Sequence, residues 1–292
     1  MKLAIDIGSN TMKCLLGKVE NGRVVKIFEQ TVDSRICADG ARLVPNAAKL
    51  VSDAVLLFKK NAEPFGSFRT VVVATSALRD AENRDAVVAE VLRLTGEKIT
   101  VLSGGEEARL SYAGAVSGLD APRECFYFDL GGGSLELVYG DGCDALKFTS
   151  IPIGAVRLTR EFFPNGEISF ESLEALRAKV RRCVSDALCG FPKTDCVVCA
   201  GGAVVAARML KKRLGLAGRE DVISLSDMLK MAELLRGVSA AERTEKFGIP
   251  PSRADIVCAA FETVAVLMRC IGAAEITHTF FNLRYGVVLS NL

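Results

Sequence analysis

Tyr127-Phe128-Asp129-Leu130-Gly131-Gly132-Gly133-Ser134-Leu135-Glu136-Leu137-Val138-Tyr139-Gly140 reads as an apolar strand, an Asp, a glycine-rich turn closed by a hydroxyl residue, and a second strand ending in Gly. A weaker copy opens the chain: Ala4-Ile5-Asp6-Ile7-Gly8-Ser9-Asn10-Thr11-Met12-Lys13-Cys14-Leu15-Leu16-Gly17. Asn21-Gly22 follows the first copy and Asp141-Gly142 the second, and both dipeptides signal hairpin turns. Two segments therefore open with the same strand–turn–strand–turn–strand unit. Glycines let backbone N–H groups converge on an anion, and an Asp at a strand end can hold a divalent cation. Two facing copies predict a phosphate clamp between two domains.

The chain has 292 residues, enough for two cores of ordinary size. Half the residues are apolar and a quarter charged, the profile of a soluble globular protein. A net charge of +2 gives no global attraction for nucleic acid or an anionic membrane. The longest apolar run, 256–274, is broken by Glu262 and Arg269 and reads as a buried helix. The charged start, Met1-Lys2-Leu3-Ala4-Ile5-Asp6, does not suit a signal peptide, and the expected compartment is the cytoplasm. Cys14, Cys125, Cys183, Cys258 and Cys270, five of the ten cysteines, lie in apolar periodic segments and read as small hydrophobes. Cys196-Val197-Val198-Cys199 lacks a second pair or a nearby His and reads as structural. With His278 as the one histidine, a multi-His metal centre is excluded, and general base work falls to a carboxylate, Lys, Tyr or Cys.

Apolar spacing predicts three strands within residues 1–32, a helix over 46–62, a strand over 70–74, and a helix over 85–95 stopping at Gly96. A strand over 99–102 runs into Ser103-Gly104-Gly105-Glu106-Glu107, where Ser103 and Glu106 suit a capping box. Gly118 to Arg123 is the expected boundary, giving domains 1–120 and 121–292, with packing of the final helix back on the first domain as the alternative. The pattern then restarts with strands over 125–152, helices over 171–189, a strand over 196–200, and helices over 203–214, 226–235 and 251–271. Repeated βββαβαβα order predicts α/β architecture: a mixed sheet flanked by helices, built twice, with a cleft between the halves.

Several further segments resemble the family of exopolyphosphatases and guanosine pentaphosphate phosphohydrolases, in its short two-domain form. They are Val73 to Arg84 (VATSALRDAENR), Leu102 to Leu110 (LSGGEEARL), Asp129 to Ser134, Arg253-Ala254-Asp255-Ile256 and Leu283-Arg284-Tyr285-Gly286, in the family's order. The resemblance implies duplicated actin-like (ribonuclease H-like) domains of the actin, sugar kinase and chaperone ATPase superfamily. By position it makes Glu107 the catalytic base and Asp129 and Glu136 the carboxylates of a divalent metal, Mg²⁺ or Mn²⁺, with Asp6 as their symmetric counterpart. Phosphate would be bound by Ser9, Asn10, Arg79, Gly131, Gly132, Gly133 and Ser134. The plainer readings are that Glu106 and Glu107 favour the helix dipole and that Arg79 pairs with Asp80 or Glu82. The family usually has Thr at Leu135 and Ala203 and Glu at Tyr285, departures that bear on substrate preference and turnover.

The implied function is hydrolysis of a phosphoanhydride: release of terminal orthophosphate from inorganic polyphosphate, or removal of the 5′ γ-phosphate of guanosine pentaphosphate. An ATP-dependent kinase shares the glycine turns but not the motifs at 75–84 and 103–110, and a non-catalytic polyphosphate or alarmone sensor is the other alternative. Nucleic acid and membrane are not expected partners; a homodimer is compatible. Arg177, Lys179, Arg181 and Arg182 on one helix, and Arg208, Lys211, Lys212 and Arg213 on another, suggest a polyanion track, against the ordinary reading as solvated faces.

Overall fold

A computed structural model describes residues 1–37, 42–119 and 124–292. The chain divides into two compact units. The first comprises 1–122, 142–145 and 281–292; the second comprises 123–141 and 146–280. The expected crossing at Ala121-Pro122-Arg123 lies outside the described residues.

In the first unit, β1 (Lys2–Ile7), β2 (Thr11–Glu20) and β3 (Arg23–Asp33) form an antiparallel meander. Asn21 and Gly22 both take positive φ, 51° and 76°, as a tight two-residue hairpin requires. Helix α1 (Ala47–Ala62) leads to β4 (Arg69–Ala74), which pairs with β1 in parallel. The short α2 (Ser76–Arg79), then α3 (Arg84–Thr95), β5 (Ile99–Val101) and α4 (Gly104–Ser117) follow, giving sheet order β3-β2-β1-β4-β5. Gly96 caps α3 in the left-handed conformation, and the Ser103–Glu106 capping box opens α4. Strand alternation divides the core. Leu3, Ile5, Ile7, Cys14 and Leu16 join one cluster with α1 and α3, whereas Ala4, Leu15, Val71 and Val73 face the other side.

In the second unit, β6 (Cys125–Leu130), β7 (Leu135–Asp141) and β8 (Asp144–Ile151) form the second meander. Helices α5 (Ala155–Phe162) and α6 (Phe170–Ala187) precede β9 (Val197–Ala200), which pairs with β6 in parallel. Then come α7 (Gly202–Arg213), β10 (Val222–Ser224), α8 (Leu225–Arg236), α9 (Ala240–Glu245), α10 (Pro251–Ala254), α11 (Val257–Ile271) and β11 (Glu275–His278). The sheet order is β10-β11-β9-β6-β7-β8. Phe126, Phe128, Leu130, Leu135 and Leu137 face the large core built on α6, α7, α8 and α11. The last helix, α12 (Leu283–Leu289), belongs to the first unit.

The structure amends several expectations. The helix read over 251–271 is two helices, interrupted at Asp255 and Ile256. Strands β10 and β11 are too short to show a period, and α5 and α9 carried no reading of their own. The proposed basic track does not hold as drawn. Lys211 is 3% exposed, donates to the Val222 carbonyl at 2.6 Å and pairs with Asp227 at 3.2 Å. Arg177 is bound to Glu262 and Glu174, and Lys179 to Glu161. Periodicity marks a helix face but not which charges fold inward with partners.

Candidate active site

In the first unit the β1–β2 turn closes with the Gly8 N–H donating to the Thr11 carbonyl at 3.2 Å. A Cβ on Gly8 would sit 2.9 Å from that oxygen, so a side chain would have to displace the turn. Ser9 and Asn10 are both buried, and Ser9 Oγ lies 3.3 Å from Ser76 Oγ at the start of α2. The N–H groups of Ser34 and Arg35 donate to the Asn10 carbonyl at 3.1 and 3.3 Å. At the end of α2, Arg79 donates through Nη1 to Glu107 Oε2 at 2.7 Å and to the Leu102 carbonyl at 3.2 Å. Asp80 is more distant, 3.7 Å from Nε. Arg79 therefore ties the residue that follows β5 to α4 around Glu107.

The two adjacent glutamates of α4 have separate tasks. Glu106 turns back to accept from the Ser103 N–H at 2.8 Å and from its hydroxyl, and these bonds lower its carboxyl pKa. Glu107, one helical step round, is 8% exposed and faces Arg79. Capping thus accounts for Glu106 and leaves Glu107 for other work.

Asp6 lies on the Ala4 face of its sheet, opposite Lys13 on β2. Its Oδ1 is buried without a hydrogen-bond partner among the described residues. Burial raises its pKa, against the opposing fields of Lys13 and Arg284.

In the second unit the β6–β7 turn repeats the closure: the Gly131 N–H donates to the Ser134 carbonyl at 3.0 Å. Asp129 and Glu136 stand directly opposite each other on β6 and β7. Alternation puts both on the face away from the large core, with Tyr127 and Val138. Tyr127 Oη donates to Asp129 Oδ2 at 3.4 Å, and Ser150 Oγ on β8 donates to Glu136 Oε1 at 2.8 Å. Gly201, at φ 99°, brings its backbone against Asp129; a Cβ there would sit 2.5 Å from Oδ1. Gly202 lies under the Arg253 guanidinium, where a Cβ would meet Nη1 at 1.6 Å. The Gly-Gly turn after β9 and the Arg253 motif are thereby brought together.

Like charges directly opposite on a ladder repel, and a hard cation relieves that repulsion through oxygen ligands. The Asp129–Glu136 pair fits Mg²⁺ or Mn²⁺ in donor chemistry. The corresponding pair in the first unit is Asp6 and Lys13, where a cation already stands opposite the Asp. No group of three or more His, Cys, Asp or Glu gathers as a metal cage among the described residues, so an ion here would draw further ligands from water or substrate oxygens.

The three departures from the family pattern are all buried. Leu135 and Ala203 sit in the large core, and Tyr285 stacks on Phe281 with ring centroids 4.2 Å apart. Sequence reasoning missed Ser76, Ser150 and Tyr127. Ser150 lies in no glycine motif, but strand alternation across β7 and β8 was a usable signal for it. Arg253 was quoted in its motif without a role, because a contact across some fifty residues leaves no local trace.

Across residues 9–292 the chain matches the Ppx/GppA phosphatase family. It is 25% identical, over 90% of its own length, to the guanosine-5′-triphosphate,3′-diphosphate pyrophosphatase of Photobacterium profundum, and spans 55% of that protein. It is 28% identical to an uncharacterized protein of Streptomyces coelicolor, covering 99% of this chain and 89% of the other. The crystal structure of an exopolyphosphatase from Cytophaga hutchinsonii has a TM-score of 0.88 at 19% identity, covering 98% and 96% of the two chains. At that identity the likeness carries the fold, which is the duplicated actin-like α/β fold. No helix among the described residues is long and apolar enough to cross a membrane.

Proposed function

The chain belongs to the Ppx/GppA phosphatase family, and from that premise we propose that it hydrolyses a terminal phosphoanhydride with Glu107 as general base. The observation that carries this reading is the buried Glu107 carboxylate, held by Arg79 at the start of α4 rather than spent on the helix cap. Glu107 accepts a proton from water as the water oxygen bonds to the terminal phosphorus. The bridging P–O bond breaks, and its electron pair leaves with the shortened phosphate chain. Arg79 orients the base, while the glycine turn Gly131–Ser134 supplies N–H groups to phosphoryl oxygens, where most of the catalysis of phosphoryl transfer resides. Ser9 and Asn10 offer a second set of donors from the first turn. Asp129 and Glu136 would hold a divalent cation, which when bound neutralises charge on the phosphate oxygens; Asp6 is the further carboxylate proposed for it.

Inorganic polyphosphate is the favoured substrate. Guanosine pentaphosphate is the second reading, favoured by the match to the Photobacterium pyrophosphatase over most of this chain. Comparing kcat/KM on the two substrates separates them. Glu107→Gln should lower phosphate release by at least about 100-fold on either. Equal rates for the variant and the native protein would remove Glu107 from the role of base. Binding of polyphosphate without any metal-dependent release would favour the sensor reading.

A further inference from the structure

The second glycine turn is held from one side by α5. The Ala155 N–H donates to the Gly131 carbonyl at 3.0 Å, and those of Val156 and Arg157 to the Gly132 carbonyl at 2.9 and 3.2 Å. These are N–H groups of a helix's first turn, which have no intrahelical partner. The Gly133 carbonyl is held differently: Arg157 Nε donates to it at 3.1 Å. Gly154 permits this approach, since a Cβ there would lie 2.3 Å from Gly132 C and O and Gly133 N.

No peptide bond among the described residues is cis, so in each peptide the N–H points opposite to the C=O. Drawing the carbonyls of Gly131, Gly132 and Gly133 toward α5 therefore turns the N–H groups of Gly132, Gly133 and Ser134 away from it. The first turn needs a similar anchor and obtains it from backbone: the repeat equivalent of Gly133 is Asn10, whose carbonyl receives the Ser34 and Arg35 N–H groups. In the second turn the same post is filled by one side chain.

We propose that Arg157 is a positioning residue for phosphoryl-oxygen recognition, its Nε bond fixing the Gly133–Ser134 peptide so that the Ser134 N–H aligns with those of Gly132 and Gly133. The proposal rests on the reading of Gly131–Ser134 as a phosphate-binding turn. Its effect on substrate is exerted through a backbone group, by a hydrogen bond rather than by charge.

That distinction selects the variants. In Gln the amide nitrogen occupies the place of Arg Nε along the side chain, so Arg157→Gln keeps a donor and loses the charge. Arg157→Lys keeps the charge beyond that place, and Arg157→Met keeps bulk alone. The full chain is titrated with inorganic pyrophosphate while the backbone amide signals of Gly132, Gly133 and Ser134 are followed, alongside polyphosphate hydrolysis and thermal unfolding. Arg157→Met should weaken pyrophosphate binding by about tenfold, the worth of one hydrogen bond, and speed hydrogen exchange at the Ser134 amide without a comparable fall in Tm. Arg157→Gln should restore most of the binding. Native binding by the Met variant would overturn the proposal, as would loss in Gln with retention in Lys, which would make Arg157 a direct ion pair to substrate. If pyrophosphate shifts none of the three amides in the native protein, the phosphate-turn reading fails first, whatever Arg157 does.

Discussion

Glu106 and Glu107 are identical side chains on consecutive residues, and only tertiary structure separates them. The S-x-x-E spacing assigns Glu106 to the cap, and that much was legible from sequence. The partner of Glu107 was not, because Arg79 reaches it from a different element, 28 residues away in the chain. Arg79 was instead weighed against its sequence neighbours Asp80 and Glu82. Arg79→Met should cost about 2 kcal/mol of stability in urea unfolding, since it removes a charged hydrogen bond from a buried carboxylate, and should lower phosphate release as well. An active variant of native stability would show that the pair neither holds the fold nor orients the base. His278, the one histidine, behaves as a buried neutral ring. Arg208 Nη1 lies 3.5 Å from its Nδ1, which assigns the proton to Nε2, a buried atom without a partner among the described residues. Burial, and then Arg208, lower its pKa from 6.5 to about 4. The unfolded ring takes up a proton at its ordinary value, so stability present above pH 6.5 is lost as pH falls toward 4. Between about pH 7 and about pH 5 this amounts to about 2 kcal/mol. His278→Gln should show a shallower acid loss than the native chain; identical slopes would place the proton uptake elsewhere.

At the level of elements, long segments with caps were readable and short ones were not. The glycine turns, the meanders and the helices α1, α3, α4 and α6 each carry a period or a capping signal. Strands β10 and β11 have three and four residues, and their pairing is decided by neighbours far along the chain. The contact between α4 and α12 shows the same limit. A Cβ on Gly114 would lie 2.1 Å from the Asn282 carbonyl oxygen, and one on Gly286 would lie 1.8 Å from that of Leu110. The last glycine of the Leu283-Arg284-Tyr285-Gly286 motif is therefore a packing residue: the two backbones approach closely because neither carries a side chain there. Gly114→Ala and Gly286→Ala should each destabilise by about 1–3 kcal/mol, and the double variant by less than the sum, since both open the same contact. Because α4 carries Glu107, phosphate release should fall with them. Additive losses would mean that the two glycines serve independent contacts.

On the scale of the whole molecule, the chain's path matters more than its division into halves. The first unit is built from both ends of the chain, with α12 returning to it after the second unit is complete. The repeat of glycine turns made the duplication legible, but the return of α12 could be anticipated only as a packing alternative. Its weight is visible in the core on the Ala4 face of the first sheet. Of the ten buried residues in that cluster, Leu283, Tyr285, Val287 and Val288 come from α12. Burying four such side chains contributes together roughly 6–12 kcal/mol, as large as the net stability of an ordinary domain. Arg284 adds a bond from Nη1 to the Cys14 carbonyl at 3.0 Å, and Lys2 Nζ donates to the Val287 carbonyl at 3.1 Å. A fragment of residues 1–122 should therefore not fold cooperatively: it should bind a hydrophobic dye and melt without a sharp transition. Joining 281–292 to that fragment through a flexible linker should restore a cooperative melt. The segment 123–280, whose large core is contributed by its own strands and helices, should melt cooperatively alone. A sharp transition in the bare 1–122 fragment would show that the sheet and α1, α3 and α4 suffice, and that α12 is an accessory.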